Sequence, residues 1–202
     1  ARQPEDDTHT DQPPEVGRPQ PEGLGQRDRA LVLYLVESGD QATLALNAGG
    51  GIALNEQVAI DGGSLALNAG SGVTWTSNGG LFAGNGTISV TARGSYTVGT
   101  VATAGRVSLA STQGSLTLGR ALTGHAGAGL SAAGNVVLDA PIADFSPGAG
   151  LDIWAGSNLL VNAQIDDISG GINLGAMGNI YVNQSIVTPG SPITLSAGGT
   201  VV

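Results

Sequence analysis

From Leu44 onward the chain alternates apolar and polar residues in short runs, and the runs themselves recur. Aliphatic anchors fall at Leu44, Leu65, Ile88, Val107, Leu130, Leu151, Ile172 and Ile193, spaced by 21, 23, 19, 23, 21, 21 and 21 residues. Two positions after each anchor stands a second apolar or small residue, from Leu46 and Leu67 to Leu174 and Leu195. Two further on, seven of the eight blocks carry Ala or Ser: Ala48, Ala69, Ala92, Ser111, Ala155, Ala176 and Ala197. Period-two alternation is the mark of a strand with one face buried. A fixed repeat near twenty residues means stacked supersecondary units, none of which can bury its own core alone.

The run Gly171 to Ile186, GINLGAMGNIYVNQSI, shows one coil clearly. Ile172 and Leu174 point inward, Ala176 and Gly178 turn a corner, Ile180 and Val182 point inward again, and Asn183 ends that run before Ile186. One coil earlier the same sentence reads GLDIWAGSNLLVNAQI, with Asn162 matching Asn183, and Val136-Val-Leu138 is closed in the same way by Asp139. Short strands, small residues at one corner and Asn, Asp or Gly at another predict an all-β fold. It is a parallel β-helix (β-solenoid) of about 21 residues per coil and seven to eight coils. Glycine suits corners where a Cβ would clash, and a repeated Asn can bond its equivalent in the next coil. Helices are excluded, because no segment holds an i, i+3, i+4, i+7 apolar pattern and 34 glycines interrupt the chain.

The domain reading is an acidic, Pro-rich extended arm over 1–30, an entry strand or cap over 31–43, and the β-helix over 44–202. Residues 1–29 hold five of the nine prolines, seven acidic and four basic residues. The following stretch, Leu31-Val-Leu-Tyr-Leu-Val36, is apolar throughout. Ser196-Ala-Gly-Gly-Thr-Val-Val202 stops partway through a coil. Together these place Leu31, Leu33, Leu35, Val36, Val201 and Val202 in an expected head-to-tail contact between copies of the chain, with the arm lying along a neighbour.

The blocks SLALNAGSGVTW, GLDIWAGSNLLVNAQI and GINLGAMGNIYVNQSI resemble the repeats of filamentous haemagglutinin-like adhesins, bacterial exoproteins of the two-partner secretion type. The resemblance covers about residues 40–202 and rests on strand–Ala–Gly–strand–Asn–x–x–Ile. It implies a right-handed β-helix, export from a Gram-negative cell, an extracellular or cell-surface location, and roles in adhesion, biofilm or display. The Asn-Pro-Asn-Gly-type motif of that family's secretion domain does not occur in these residues.

Composition narrows the partners. A net charge of −9, with seven Arg and no Lys, argues against a nucleic-acid interface. No run of 18 apolar residues exists, so no membrane-spanning helix is expected. Ala1 is compatible with cleavage after a small-residue signal site. Absence of cysteine removes both disulfides and thiolate metal sites. The calcium-binding Gly-Gly-x-Gly-x-Asp repeat does not occur, and Gly124 to Gly129 lacks the strand–helix frame of a phosphate cradle. Neither a cofactor nor a metal site is expected.

Candidate chemistry is sparse. A carbohydrate-active β-helix, the alternative reading, would draw on Asp139, Asp144, Asp152, Asp166 and Asp167, but the nearest Arg, Arg120, is expected about two coils away. Asp152 is expected among Ser131 and Asn173 on the outer face, where Asn173→Asp should be nearly neutral. His9 and His125 have no carboxylate partner nearby in sequence. The triplets at Asn85 and Asn183 match the glycosylation pattern, which arises often by chance. Trp75 reads as core. Trp154 and Tyr181 read as outward, stacked one coil apart, either as a surface ladder or as a platform for sugar or another rod. An ice-binding face is disfavoured, because the positions before the anchors do not form a threonine array. The leading expectation is a structural, adhesin-like or matrix rod without catalytic residues. The runner-up within that class is a passive stalk, a fragment of a larger exoprotein that displays a distant binding or toxin domain.

Overall fold

The computed structural model describes residues 31–33, 36–38, 43–124, 126–143, 145–166 and 168–202. The proposed arm, Leu35, His125, Asp144 and Asp167 lie outside them. The described chain is an all-β parallel β-solenoid of about 21 residues per turn and roughly seven turns. Each turn lays strands successively onto three faces, and each strand pairs in parallel with its equivalent one turn on.

The widest face is an eight-stranded sheet that runs from Thr43–Ala48 and Ser64–Ala69 through Leu151–Ala155 and Ile172–Ala176 to Ile193–Ala197. A six-stranded sheet runs from Val36–Ser38 to Ile142–Ala143, and single parallel bridges at Ile165 and Ile186 carry it further. The third face is divided. Leu31–Leu33, Ile52–Leu54 and Val73–Trp75 form a three-stranded sheet, and Tyr96–Val98 to Ile180–Val182 form a separate five-stranded one. The backbone at Leu31, Leu33 and Val36 therefore pairs with Ile52, Leu54 and Val58 as part of the first coil.

Alternation places the aliphatics inside. Leu65, Leu67, Ile88, Val90, Val107, Leu109, Leu151, Ile172 and Leu174 are all buried in one continuous core. Leu151 is directly paired with Ile172, as the repeat requires. Packing one sheet's inward side chains against those of the other two removes apolar area from water in every turn, so neighbouring turns share one core.

One anchor is out of place. The strand Ala128–Ala132 pairs Ala128, not Leu130, with both Val107 and Leu151, while Leu130 pairs with Leu109 and Ile153. Anchor spacings therefore run 21, 23, 19, 21, 23, 21 and 21. Both Ala128 and Leu130 face inward, so a two-residue slip preserves the hydrophobic face and leaves no trace in the alternation. With the register corrected, Ala132 takes the small position, and all eight blocks carry Ala or Ser there. Small side chains are required because this is where the strand enters its corner. At another corner Gly86 stacks so closely on Gly63 that a Cβ would overlap the Gly63 carbonyl oxygen.

Candidate functional site

The outer surface of the eight-stranded sheet presents two outward positions per strand. One column reads Ser108, Gly129, Asp152, Asn173, Thr194, and the other Ala110, Ser131, Trp154, Gly175, Ser196. Trp154 is 50% exposed, whereas the inward neighbours Leu151 and Ile153 of its own strand are buried. It has glycine on one side in the stack, and a Cβ at Gly175 would overlap the Cε3 and Cζ3 atoms of the indole. The six-membered ring therefore rests against bare backbone, which a side chain at position 175 would prevent.

The adjacent column supplies the polar groups. The Asn173 amide donates to Asp152 Oδ1 at 2.9 Å, and Arg106 Nη2 donates to Asp152 Oδ2 at 3.4 Å. Arg106 reaches Asp152 across Gly129, whose missing side chain leaves the path open. Both ion-pair partners are about half exposed, so the pair contributes at most about 1 kcal/mol. Its structural effect is to hold a guanidinium, a carboxylate and an amide in one line beside the indole. Asp152, Asn173 and the small residues around them line a groove of about 430 Å³ with Trp154, and Arg106 holds Asp152 from outside that lining.

Several expectations are corrected here. Asp152 sits between Gly129 and Asn173, not beside Ser131, and Arg106 rather than the more distant Arg120 is its cation. Trp154 and Tyr181 do not stack. Trp154 belongs to the eight-stranded sheet and Tyr181 to the five-stranded one, where it pairs with Leu160 and accepts a hydrogen bond from the Asn179 amide at 2.9 Å. Asn173→Asp is no longer expected to be neutral, since it would remove a donor and set two carboxylates side by side.

The remaining polar chemistry joins coil to coil. At one corner Asn183 donates to Asn162 Oδ1 at 2.7 Å, and Asn162 donates to Asp139 Oδ1 at 2.8 Å. The equivalence of Asp139, Asn162 and Asn183 is thus a hydrogen-bonded stack. A second column escaped notice in the sequence. Side-chain oxygens of Ser95, Ser115, Asn135, Asn158 and Asn179 each accept the backbone N–H one coil later, at 2.8–3.0 Å. Its signal was present as a polar residue before each strand of that face, hidden by the change from Ser to Asn. Asn68 likewise donates to Asn47 Oδ1 at 2.8 Å, and Gln164 donates to Asp166 Oδ2 at 2.9 Å.

Trp75 is partly buried against the core, as expected, but its ring stacks on Tyr96 at 6.0 Å with an interplanar angle of 19°, and its Nε1 is buried without a partner. Tyr96 is buried, its hydroxyl donating to the Val90 carbonyl at 3.3 Å, and burial raises its phenol well above the ordinary range. A groove of about 670 Å³ opens beside this pair, at the division of the third face. Among the described residues no group of three or more His, Cys, Asp or Glu is placed to hold a metal ion. Of the assembly residues, Val201 and Val202 are exposed, as are the inward-type Ile193 and Leu195 of the same coil.

No protein-family model, curated protein or solved structure matches the chain.

Proposed function

We propose that the protein is a structural β-solenoid of the extracellular space or cell surface, an adhesin-like or matrix rod similar in repeat to filamentous haemagglutinin-like exoproteins. The observation that carries this reading is the use of its polar side chains. Asp139, Asn162, Asn183 and the Ser95-to-Asn179 column are committed to neighbouring coils. A surface of neutral hydrogen-bonding groups, ordered along the stack, suits a scaffold that must stay folded outside the cell without disulfides. The carbohydrate-active alternative is less well supported. General acid–base hydrolysis needs two carboxyls facing one bond, and among the described residues Asp152 is the only acid lining the Trp154 groove.

In the same reading, rods join end to end. Ile193 and Leu195 continue the column of buried Ile172 and Leu174, yet are about 40% exposed (41% and 39%). The cover proposed in this reading is another coil in the same parallel register, supplied by the first strands of a second copy or by continuation of the same polypeptide, and the test below separates the two. Electron microscopy and light scattering of the purified chain test this. Filaments that disappear in Ile193→Asp/Leu195→Asp, with the strand spectrum retained, support the assembly. Particles that stay monomeric at high concentration, or filaments indifferent to both substitutions, overturn it.

A further inference from the structure

We propose that the Trp154 groove binds a neutral oligosaccharide, with one pyranose ring laid against the indole and its hydroxyls bonded to Asp152 and Asn173. The proposal rests on the surface-rod reading and names what such a surface recognises.

The geometry supports it in three ways. First, the indole is half exposed on a sheet whose neighbouring outward positions are Ser131 and Gly175, so it rises above small residues instead of packing among large ones. Its placement over the bare backbone of Gly175 fixes one ring edge without covering the whole ring. An amphipathic ring held in this way presents a rigid apolar plate at little entropic cost. Second, the polar line runs along the next outward column, in the same strands as the plate. Asn173 brings a donor, Asp152 and the Asn173 carbonyl bring acceptors, Thr194 adds a hydroxyl within the groove, and Arg106 steadies Asp152 from outside the lining. A ligand with an apolar C–H face and a rim of vicinal hydroxyls satisfies both columns together. An aliphatic peptide side chain would use only the plate. Third, the volume of about 430 Å³ falls in the range of small-ligand sites.

Charge selects among glycans. The Arg106 guanidinium is already neutralised by Asp152, and the whole chain carries −9. A polyanionic saccharide would meet net repulsion, whereas a neutral one exchanges water hydrogen bonds for equivalent ones at the rail.

The test uses the full chain with cellotetraose, xylotetraose, mannotetraose, laminaritetraose and chitotetraose, plus tetragalacturonate as the anionic comparison. Trp75 and Trp154 are the two tryptophans. In a Trp75→Phe background, fluorescence therefore reports on Trp154 alone, and calorimetry on the unaltered protein gives an independent affinity. At least one neutral tetrasaccharide should shield Trp154 from acrylamide, with a Kd on the order of 1 mM. Trp154→Ala should abolish the calorimetric signal, and Asp152→Ala should weaken it by roughly tenfold. Both variants should keep the parent's circular dichroism, since the groove lies outside the core. Absence of shielding by every neutral probe, equal affinity in Trp154→Ala, or preference for tetragalacturonate overturns the proposal. Chromatography of the bound sugar separates this inference from the reading beneath it. Intact sugar fits a binding rod, while cleavage products would overturn the structural reading and leave the binding site standing.

Discussion

The eight-stranded face and the divided face are built from the same repeat, yet only one of them is continuous. Along the first, inward positions are filled by Leu, Ile, Val and Ala, and the ladder passes through every coil. On the other, Trp75 follows Leu54 in one inward column, Tyr96 stands one coil later at the inward position equivalent to Val73, and the pairing between Val73–Trp75 and Tyr96–Val98 is lost. An indole is too wide for a cross-section sized for leucine. It is displaced toward the surface and lies against Gly99, where a Cβ would overlap the ring. The stack of Trp75 on Tyr96 offsets part of the loss, about 0.5–1.5 kcal/mol beyond area burial. The buried, unpartnered Nε1 counts against it by about 1–3 kcal/mol. The difference shows that the solenoid tolerates shifts in register along its length far better than a change in side-chain width across it.

The most damaging way to break the continuous face is a charge in its stack. Ile172→Asp buries a carboxylate with no partner among Leu151, Ile193 and their neighbours. It should cost more than about 4 kcal/mol. A denaturant titration should show an early transition confined to the coils around position 172. An unchanged midpoint would mean that the inward assignment is wrong.

The faces should respond oppositely to changes in size. Leu109→Ala, in a fully buried position of the continuous sheet, should lose about 2–5 kcal/mol. Trp75→Leu restores the residue type of the preceding coil and removes the orphaned Nε1. It should change stability by less than about 1 kcal/mol. Amide exchange sharpens the comparison, because a closed ladder should slow exchange within Tyr96–Val98. A large destabilisation by Trp75→Leu would show that the aromatic stack is required at this position.

Tyr96 links the two faces and gives the division a pH dependence. Its strand belongs to the divided face, while its hydroxyl donates to Val90 of the continuous one. Desolvation raises its pKa from the ordinary 10.0, and a separate backbone hydrogen bond at Ala110 only partly opposes this. Because the folded value lies above the unfolded one, the stabilising contribution is complete below pH 10 and is lost as pH rises above it. The loss should be about 1.4 kcal/mol per pH unit over the first units. Thermal melts from pH 9 to 11.5 should therefore fall more steeply for the parent than for Tyr96→Phe, and parallel curves would exclude the linkage.

The contrast also explains what was legible in the sequence. Inward faces could be read because alternation and a period near 21 reinforce one another over many coils. The misplaced Leu130 anchor could not be resolved, since Ala128 and Leu130 both satisfy the inward pattern and only pairing distinguishes them. The Arg106–Asp152 contact spans 46 residues and exists only once coils are stacked across Gly129. The Trp154–Tyr181 pairing, in contrast, was avoidable. Their separation of 27 residues does not fit the repeat, whereas Trp154 plus 21 gives Gly175.

A further small effect is expected at the corner stack that borders the five-stranded sheet. Asn162 both donates to Asp139 and accepts from Asn183, so Asn162→Ala removes two side-chain hydrogen bonds at once. Each such bond is exposed and contributes roughly 0.5–1 kcal/mol after exchange with water. The loss should therefore be roughly 1–2 kcal/mol. Asn162→Asp tests whether the stack matters as a network. It can still accept from Asn183, but it sets a carboxylate against Asp139, and near neutral pH it should cost more than the alanine substitution. At about pH 3 the carboxyl introduced at position 162 should take up a proton, since a facing carboxylate disfavours its charged form, and a hydrogen bond across the pair should return. The deficit of Asn162→Asp relative to Asn162→Ala should then shrink or reverse. If the two variants melt alike at both pH values, the corner amides are solvated individually, and the coils are held at that edge by backbone pairing alone.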